Sequence, residues 1–290
     1  MLPTSLTANS NGVVLAVETF GSPRDTPVVL VMGATASMVW WPESFCESIA
    51  SHGYHVVRYD HRDTGRSTTG IPGEVSYGAE DMAEDLVGLM DVLELASAHL
   101  VGMSLGGYLG QIVAVTHPER VSTLSLFASE PLGAEPGFLP GIDDRFLEHF
   151  ATLGDLDWSN VTDVERFLVE IGRLSAGSPE RFDEPGTRRR VAVEIERASN
   201  IACAFNHALV APRQDWSGAT ARITQPTLVI HGALDPILPL ANGQALAHLI
   251  DGARIRVLPH TGHELNPLDL DDIETTIVGF ISNESVARQQ

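Results

Sequence analysis

The sequence predicts an α/β protein: a mostly parallel sheet flanked by helices, interrupted by an all-helical insert. Three observations carry this. Short β-branched apolar runs alternate with helical periodicity at both ends of the chain. One run, Val28–Met32, is continuously apolar, as expected of a strand covered on both faces. The stretch 131–221 breaks the alternation and offers no convincing strand. Residues 1–130 and 222–290 therefore read as the two parts of one core, and 131–221 as a helical lid.

In chain order, Ser5–Ala8 and Val13–Phe20 form a hairpin around Asn11-Gly12. Strands follow at Val28–Met32 and His55–Tyr59. Residues 79–95 place Met82, Leu86, Leu89, Met90 and Leu93 on one stripe, the spacing of an amphipathic helix. His99–Val101 is a strand, Leu105–Thr116 a helix and Ser122–Phe127 a strand. After the insert come the strand Thr227–Ile230, a helix near Leu240–Ile250, the strand Arg254–Leu258 and a closing helix near Leu270–Ile281. The insert opens with Pro131, Gly133, Pro136, Gly137, Pro140 and Gly141, which punctuate structure. Its helical patterns cover Asp143–Ala151, Val161–Leu174 and Arg188–Leu209.

The 290 residues are 43% apolar and 19% charged, enough for a large buried core. A net charge of −20 repels phosphate backbones and anionic lipid heads, so neither nucleic acid nor membrane is an expected partner. Every basic residue is Arg, which removes Schiff-base chemistry and the P-loop lysine. Cys46 and Cys203 read as buried thiols. The polar N-terminus and the lack of a long apolar run predict a soluble cytoplasmic protein.

The chemistry-bearing segment is Gly102-Met103-Ser104-Leu105-Gly106, a G-x-S-x-G between an apolar strand and a helix. A serine on so sharp a turn is held in a strained backbone, and only Gly is tolerated where the chain passes close by. The hydroxyl then stands clear at a helix N-terminus, where free amides stabilise a developing oxyanion. Such a nucleophile needs a general base and a third group that fixes the base's tautomer. The order Ser, acid, His points to Asp235, after the strand Thr227–Ile230, and to His263, after Arg254–Leu258. Glu130 is the rival acid and His260 the rival base. The oxyanion amides are expected at Leu105 and at Ala34, in Met32-Gly33-Ala34-Thr35.

The ordering of Ser104, Asp235 and His263 resembles the α/β-hydrolase superfamily over the whole chain except the insert. The segment Asp63-Thr64-Gly65-Arg66-Ser67-Thr68, with Val31-Met32-Gly33 and Trp41-Pro42, is more particular. Many superfamily members have Gly in place of Asp63. This version is similar to the aclacinomycin methylesterase group and to the serine-dependent macrolide esterases. The resemblance implies the α/β-hydrolase fold, Ser104 as nucleophile, Asp235 and His263 as its partners, Ala34 and Leu105 as oxyanion donors, and a bulky polyketide-type ester or lactone as substrate. Met32 stands where many members have His, which leaves the backbone amide unchanged.

No cofactor is expected for this chemistry. Asp60-His61-Arg62-Asp63 and His260–Glu264 do not match H-E-x-x-H, so no metal is expected either. Residues 60–67 read instead as a hydrogen-bonded loop supporting the oxyanion region. Met32, Trp40, Trp41, Met103, Phe138 and Phe205 are candidates for an apolar substrate pocket, and core packing explains each equally well. The same triad also serves small-ester esterases, perhydrolases and C–C bond hydrolases, and a small-molecule receptor could retain it for binding alone. Turnover of simple esters, and its loss without Ser104, separates enzyme from receptor.

Overall fold

Asn11 and Gly12 both have positive φ, 45° and 80°. That backbone twist matches two antiparallel strands, so β1 (Thr4–Ser10) pairs with β2 (Val13–Phe20) across a two-residue turn. The computed structural model describes residues 3–134 and 137–287, without the side chains of 285–287; Pro136 lies outside them. The remaining strands are β3 (Thr26–Val31), β4 (Tyr54–Tyr59), β5 (Ala98–Met103), β6 (Val121–Phe127), β7 (Thr227–Gly232) and β8 (Arg254–Leu258). They form one sheet in the order β1-β2-β4-β3-β5-β6-β7-β8. Both pairings of β2 are antiparallel and every later one is parallel.

Alternation along β3 explains the two layers. Val29 and Val31 face one apolar cluster, formed with α2 (Ala79–Val92) and α3 (Leu105–Thr116). Val28 and Leu30 face the other, formed with α1 (Glu43–Ser51) and the closing helix Leu270–Ala287. Met82, Leu86, Leu89 and Met90 of α2 have no exposed surface. Each such side chain contributes about 1.5–3 kcal/mol by leaving water. The helix α1 is missing from the sequence expectation. Its signal was present: a proline at the N-cap followed by buried Phe45, Cys46 and Ile49 at i, i+1 and i+4.

Between β6 and β7 lie α4 (Asp144–Ala151), α5 (Val161–Ser175) and α6 (Glu184–Arg197). They share an apolar core that includes Val164, Phe167, Val191 and Phe205. The single helix expected over Arg188–Leu209 is two elements. The helix starts earlier, because Asp183 caps the Gly186 amide, and it ends at Arg197. Ser199 N–H then donates to the Gly65 carbonyl at 2.7 Å, and Asn200 caps a separate 3-10 segment, Ile201–Leu209. The helices α7 (Ala241–Leu249) and α8 (Leu270–Ala287) complete the fold. Among the described residues no helix is long and apolar enough to cross a membrane. Cys46 and Cys203 are free and buried, and burial pushes the Cys46 thiol up to about 12.

The insert is fastened to the core by a buried polar knot. Arg197 pairs with Asp60 at 3.0 Å, with 10% and 0% of the two side chains exposed. Asp60 also accepts from the Met38 and Arg66 amides. Glu194 accepts from the Ser37 hydroxyl at 2.5 Å and from its amide. Arg197→Met removes one half of a buried pair and leaves the Asp60 charge in place, so it should cost about 3–5 kcal/mol. Urea unfolding checks this; a change near zero would mean that the pair does not hold the insert.

Candidate active site

Ser104 links the end of β5 to the first turn of α3 with φ 51° and ψ −118°. This left-handed conformation costs a non-glycine residue about 1–3 kcal/mol. Its amide donates to the Phe127 carbonyl at 2.9 Å, and its carbonyl accepts from Tyr108 N–H and from the Ser129 hydroxyl. The close passage behind it is literal. A Cβ at Gly106 would fall on the Val31 and Met32 carbonyl oxygens, and one at Gly102 on the Gly106 carbonyl. The serine is thereby the N-cap of α3, beside its free amides and positive dipole end.

The other two residues follow β7 and β8. Asp235 Oδ1 accepts from the Ile237 and Leu238 amides at 2.9 and 2.8 Å. Its Oδ2 lies 2.8 Å from His263 Nδ1. Burial alone would raise the Asp235 carboxyl, but the His263 ring and the donated hydrogen bonds outweigh it and hold the group below its ordinary value. With Nδ1–H given to the carboxylate, His263 Nε2 is the free lone pair. His263 and Ser104 line the same cavity, of about 260 Å³, together with Gly33 and Ala34. Neither the Ala34 nor the Leu105 amide has an acceptor among the described residues.

Among the described residues neither rival is hydrogen-bonded into this pair, although Glu130 is near enough for His263 to act on its charge. Glu130 lines an adjoining pocket with Ile142, Ile237 and Leu238. Burial raises its carboxyl, and no hydrogen bond joins it to His263 among the described residues. His260 is exposed in the preceding turn.

Met32, Trp40 and Met103 line the cavity, but three other pocket candidates do not. Phe138 is 75% exposed outside it. Phe205 packs inside the insert against Trp158 and Phe167, and Trp41 is fully buried and stacks on Phe45. In each case burying a ring against other apolar side chains competes with lining a cavity, and residue type does not tell them apart. Phe146, Phe150, Leu168 and Ile171 of the insert supply the apolar wall instead.

The loop carrying Ala34 is braced by two histidines. His61 Nε2 donates to the Met32 carbonyl at 2.9 Å. His207, from the 3-10 segment of the insert, accepts from Thr35 N–H through Nδ1 at 3.2 Å and donates through Nε2 to the Arg62 carbonyl. This fixes the strained Thr35, at φ 62°. Asp63 also has positive φ, 68°, which Gly adopts most readily. Its carboxylate holds Gly70 N–H, the Tyr77 hydroxyl and Asn206 Nδ2. Residues 60–67 thus form the hydrogen-bonded loop expected from sequence. The role of His207 had no local sequence signal, because its partners lie 145 and 172 positions away. Among the described residues, no three His, Cys, Asp or Glu side chains converge as metal ligands would.

The geometry has clear counterparts. A family model described as the alpha/beta hydrolase fold matches residues 26–269. The chain belongs to the α/β-hydrolase family. This hydrolase is 34% identical over 268 residues to the rhodomycin D methylesterase DauP of Streptomyces sp. (strain C5), covering 87% of this chain and 90% of that one. It is 33% identical to the rhodomycin D methylesterase DnrP of Streptomyces peucetius, over 91% and 93% of the two chains. The enol-lactonase of Burkholderia xenovorans LB400 has the same fold, with TM-score 0.77 and 22% identity over 96% of this hydrolase and 100% of that chain. The likeness to methylesterases read from residues 63–68 therefore extends over most of the chain.

Burial, and after it the neighbouring His207, pushes His61 down to about 3; burial likewise lowers His207. Both rings are neutral in the folded hydrolase and take up protons on unfolding below about pH 6.5. Each therefore weakens the fold on acidification, by up to about 1.4 kcal/mol per pH unit. Ring resonances of His61 should stay in the neutral position from pH 7 to about pH 4.5. A titration of His61 near 6.5 would contradict the buried, bonded placement.

Proposed function

We propose that the chain is a serine carboxylic ester hydrolase that removes a methyl ester from a polyketide-type small molecule. The observation that carries this is the 2.8 Å contact between His263 Nδ1 and Asp235 Oδ2, on the same cavity as the strained Ser104. Identity of 33–34% to two rhodomycin D methylesterases supports the substrate class.

In this reading Ser104 Oγ attacks the ester carbonyl while His263 Nε2 takes its proton. Asp235 keeps the ring in the tautomer that leaves Nε2 basic and stabilises the imidazolium once it forms. The Ala34 and Leu105 amides, both without acceptors among the described residues, hold the oxyanion; one such donor is worth about 10²–10³ in rate. Methanol leaves with the proton from His263, water attacks the acyl-enzyme with His263 again as base, and the acid is released. The helical segment 131–221 closes the site as a lid, with Phe146, Phe150 and Leu168 set against the substrate.

Ser104→Ala should lower kcat on a p-nitrophenyl ester by about 10⁶, and Asp235→Asn by about 10⁴. Near-normal turnover by Ser104→Ala would refute the nucleophile. Mass spectrometry after incubation with anthracycline methyl esters and macrolides identifies the reaction. Replacement of a methyl by hydrogen is demethylation; a gain of one water without fragmentation is ring opening and would overturn the methylesterase assignment.

A further inference from the structure

The helix α6 turns a polar face toward the cavity. Asp183, Thr187, Arg190 and Glu194, at i, i+4, i+7 and i+11, all line it, together with the apolar side chains from α4 and α5. The two carboxylates of this stripe are engaged. Asp183 caps the Gly186 amide, and Glu194 accepts from Ser37. Glu264, on the neighbouring histidine loop, accepts from Gly177 N–H and from Asn266. Arg190 is different. Its guanidinium lies 5.0 Å over the Trp40 ring, half-buried, and makes no hydrogen bond or ion pair among the described residues.

A guanidinium carries five N–H donors in one plane, and polar groups taken out of bulk water are ordinarily paired. Stacking on an indole uses the face of that plane and leaves its donor edge free. Desolvation disfavours the charge and lowers its pKa, outweighing the nearby Asp183 and Glu264 carboxylates that favour it. Asp183 and Glu264 offset part of that cost from a distance without hydrogen-bonding the guanidinium, so its donors stay open to an acceptor brought in by the substrate.

We propose that Arg190, oriented by Trp40, is a specificity-determining residue that receives an oxygen acceptor, bound most tightly as an oxyanion, on the part of the ester remote from the reacting carbonyl. Preferred substrates are then esters bearing a carboxylate, phenolate or enolate-type oxygen at the reach of α6. The proposal rests on the ester-hydrolase reading of the same cavity and narrows it.

The probes are monomethyl terephthalate and the monomethyl esters of naphthalene and biphenyl dicarboxylic acids, each against the methyl ester that lacks the second carboxylate. At one reach the wild-type protein should prefer the anionic ester, and Arg190→Met should lower that preference by about 10- to 100-fold, carried in KM rather than kcat. Arg190→Lys, which retains the charge, should recover part of it. The free dicarboxylates, titrated by tryptophan fluorescence, should bind the wild type and bind Arg190→Met correspondingly more weakly. This arm needs no turnover. If no ester is cleaved, the hydrolase reading fails while binding still decides the role of Arg190. Equal preference in wild type and Arg190→Met at every reach, with equal binding, overturns the proposal; melting curves exclude a misfolded variant.

Discussion

The site depends on a contact between backbones. The first turn of α3 passes so close to the end of β3 that a single methyl group at Gly106 would strike the Val31 and Met32 carbonyl oxygens. This proximity brings the Ser104 elbow beside the loop that carries Ala34 (a Cβ at Gly33 would sit 3.3 Å from the Ser104 Cβ). Ser104 and the Ala34 loop, the proposed nucleophile and oxyanion loop, are thereby set by main chain in the middle of the sheet, where packing leaves little freedom. Asp235 and His263 follow β7 and β8, the two parallel strands beyond β6 in the sheet order, both ending at the same edge.

The strands and the Ser, Asp and His positions were legible because their signals are local. A G-x-S-x-G between an apolar strand and a helix is contained in a few residues, and so is a carboxylate or histidine just beyond a strand. The buttresses were not legible. His207 and Arg197 reach the core across long separations in sequence, and their roles arise from burial rather than from any pattern around them. The aromatic residues failed for a related reason. Phe205, Phe138 and Trp40 are equally plausible cavity residues in one dimension, and only packing sends them to the insert's core, to solvent and to the cavity. The false continuation of α6 beyond Arg197 reflects propensity overridden by tertiary contact, since Ser199 is claimed by Gly65 and Asn200 starts a new segment.

Electrostatics in the cavity are arranged by desolvation and hydrogen bonding together. Asp235 remains ionised although buried, because two amides and an imidazole face it. Glu194 lacks comparable compensation; burial pushes its carboxyl up to about 7 even with Ser37 donating to it. The two carboxyls illustrate how environment, not residue type, decides which acid is charged at neutral pH.

One contact ties the insert to the chemistry more closely than a cover would need. The amide of His263 donates to the carbonyl of Ser175, at the C-terminal end of α5, at 2.8 Å, and a Cβ at Gly262 would collide with that same carbonyl. The imidazole is thus seated on the element that shapes the cavity wall. A chimaera grafting another family member's helices onto this core would alter the pose of the proposed base along with the contour of the cavity, so selectivity and turnover would not be separable modules here. Retuning is better sought by exchanging single wall residues such as Phe146 or Ile171, which leave that seat intact.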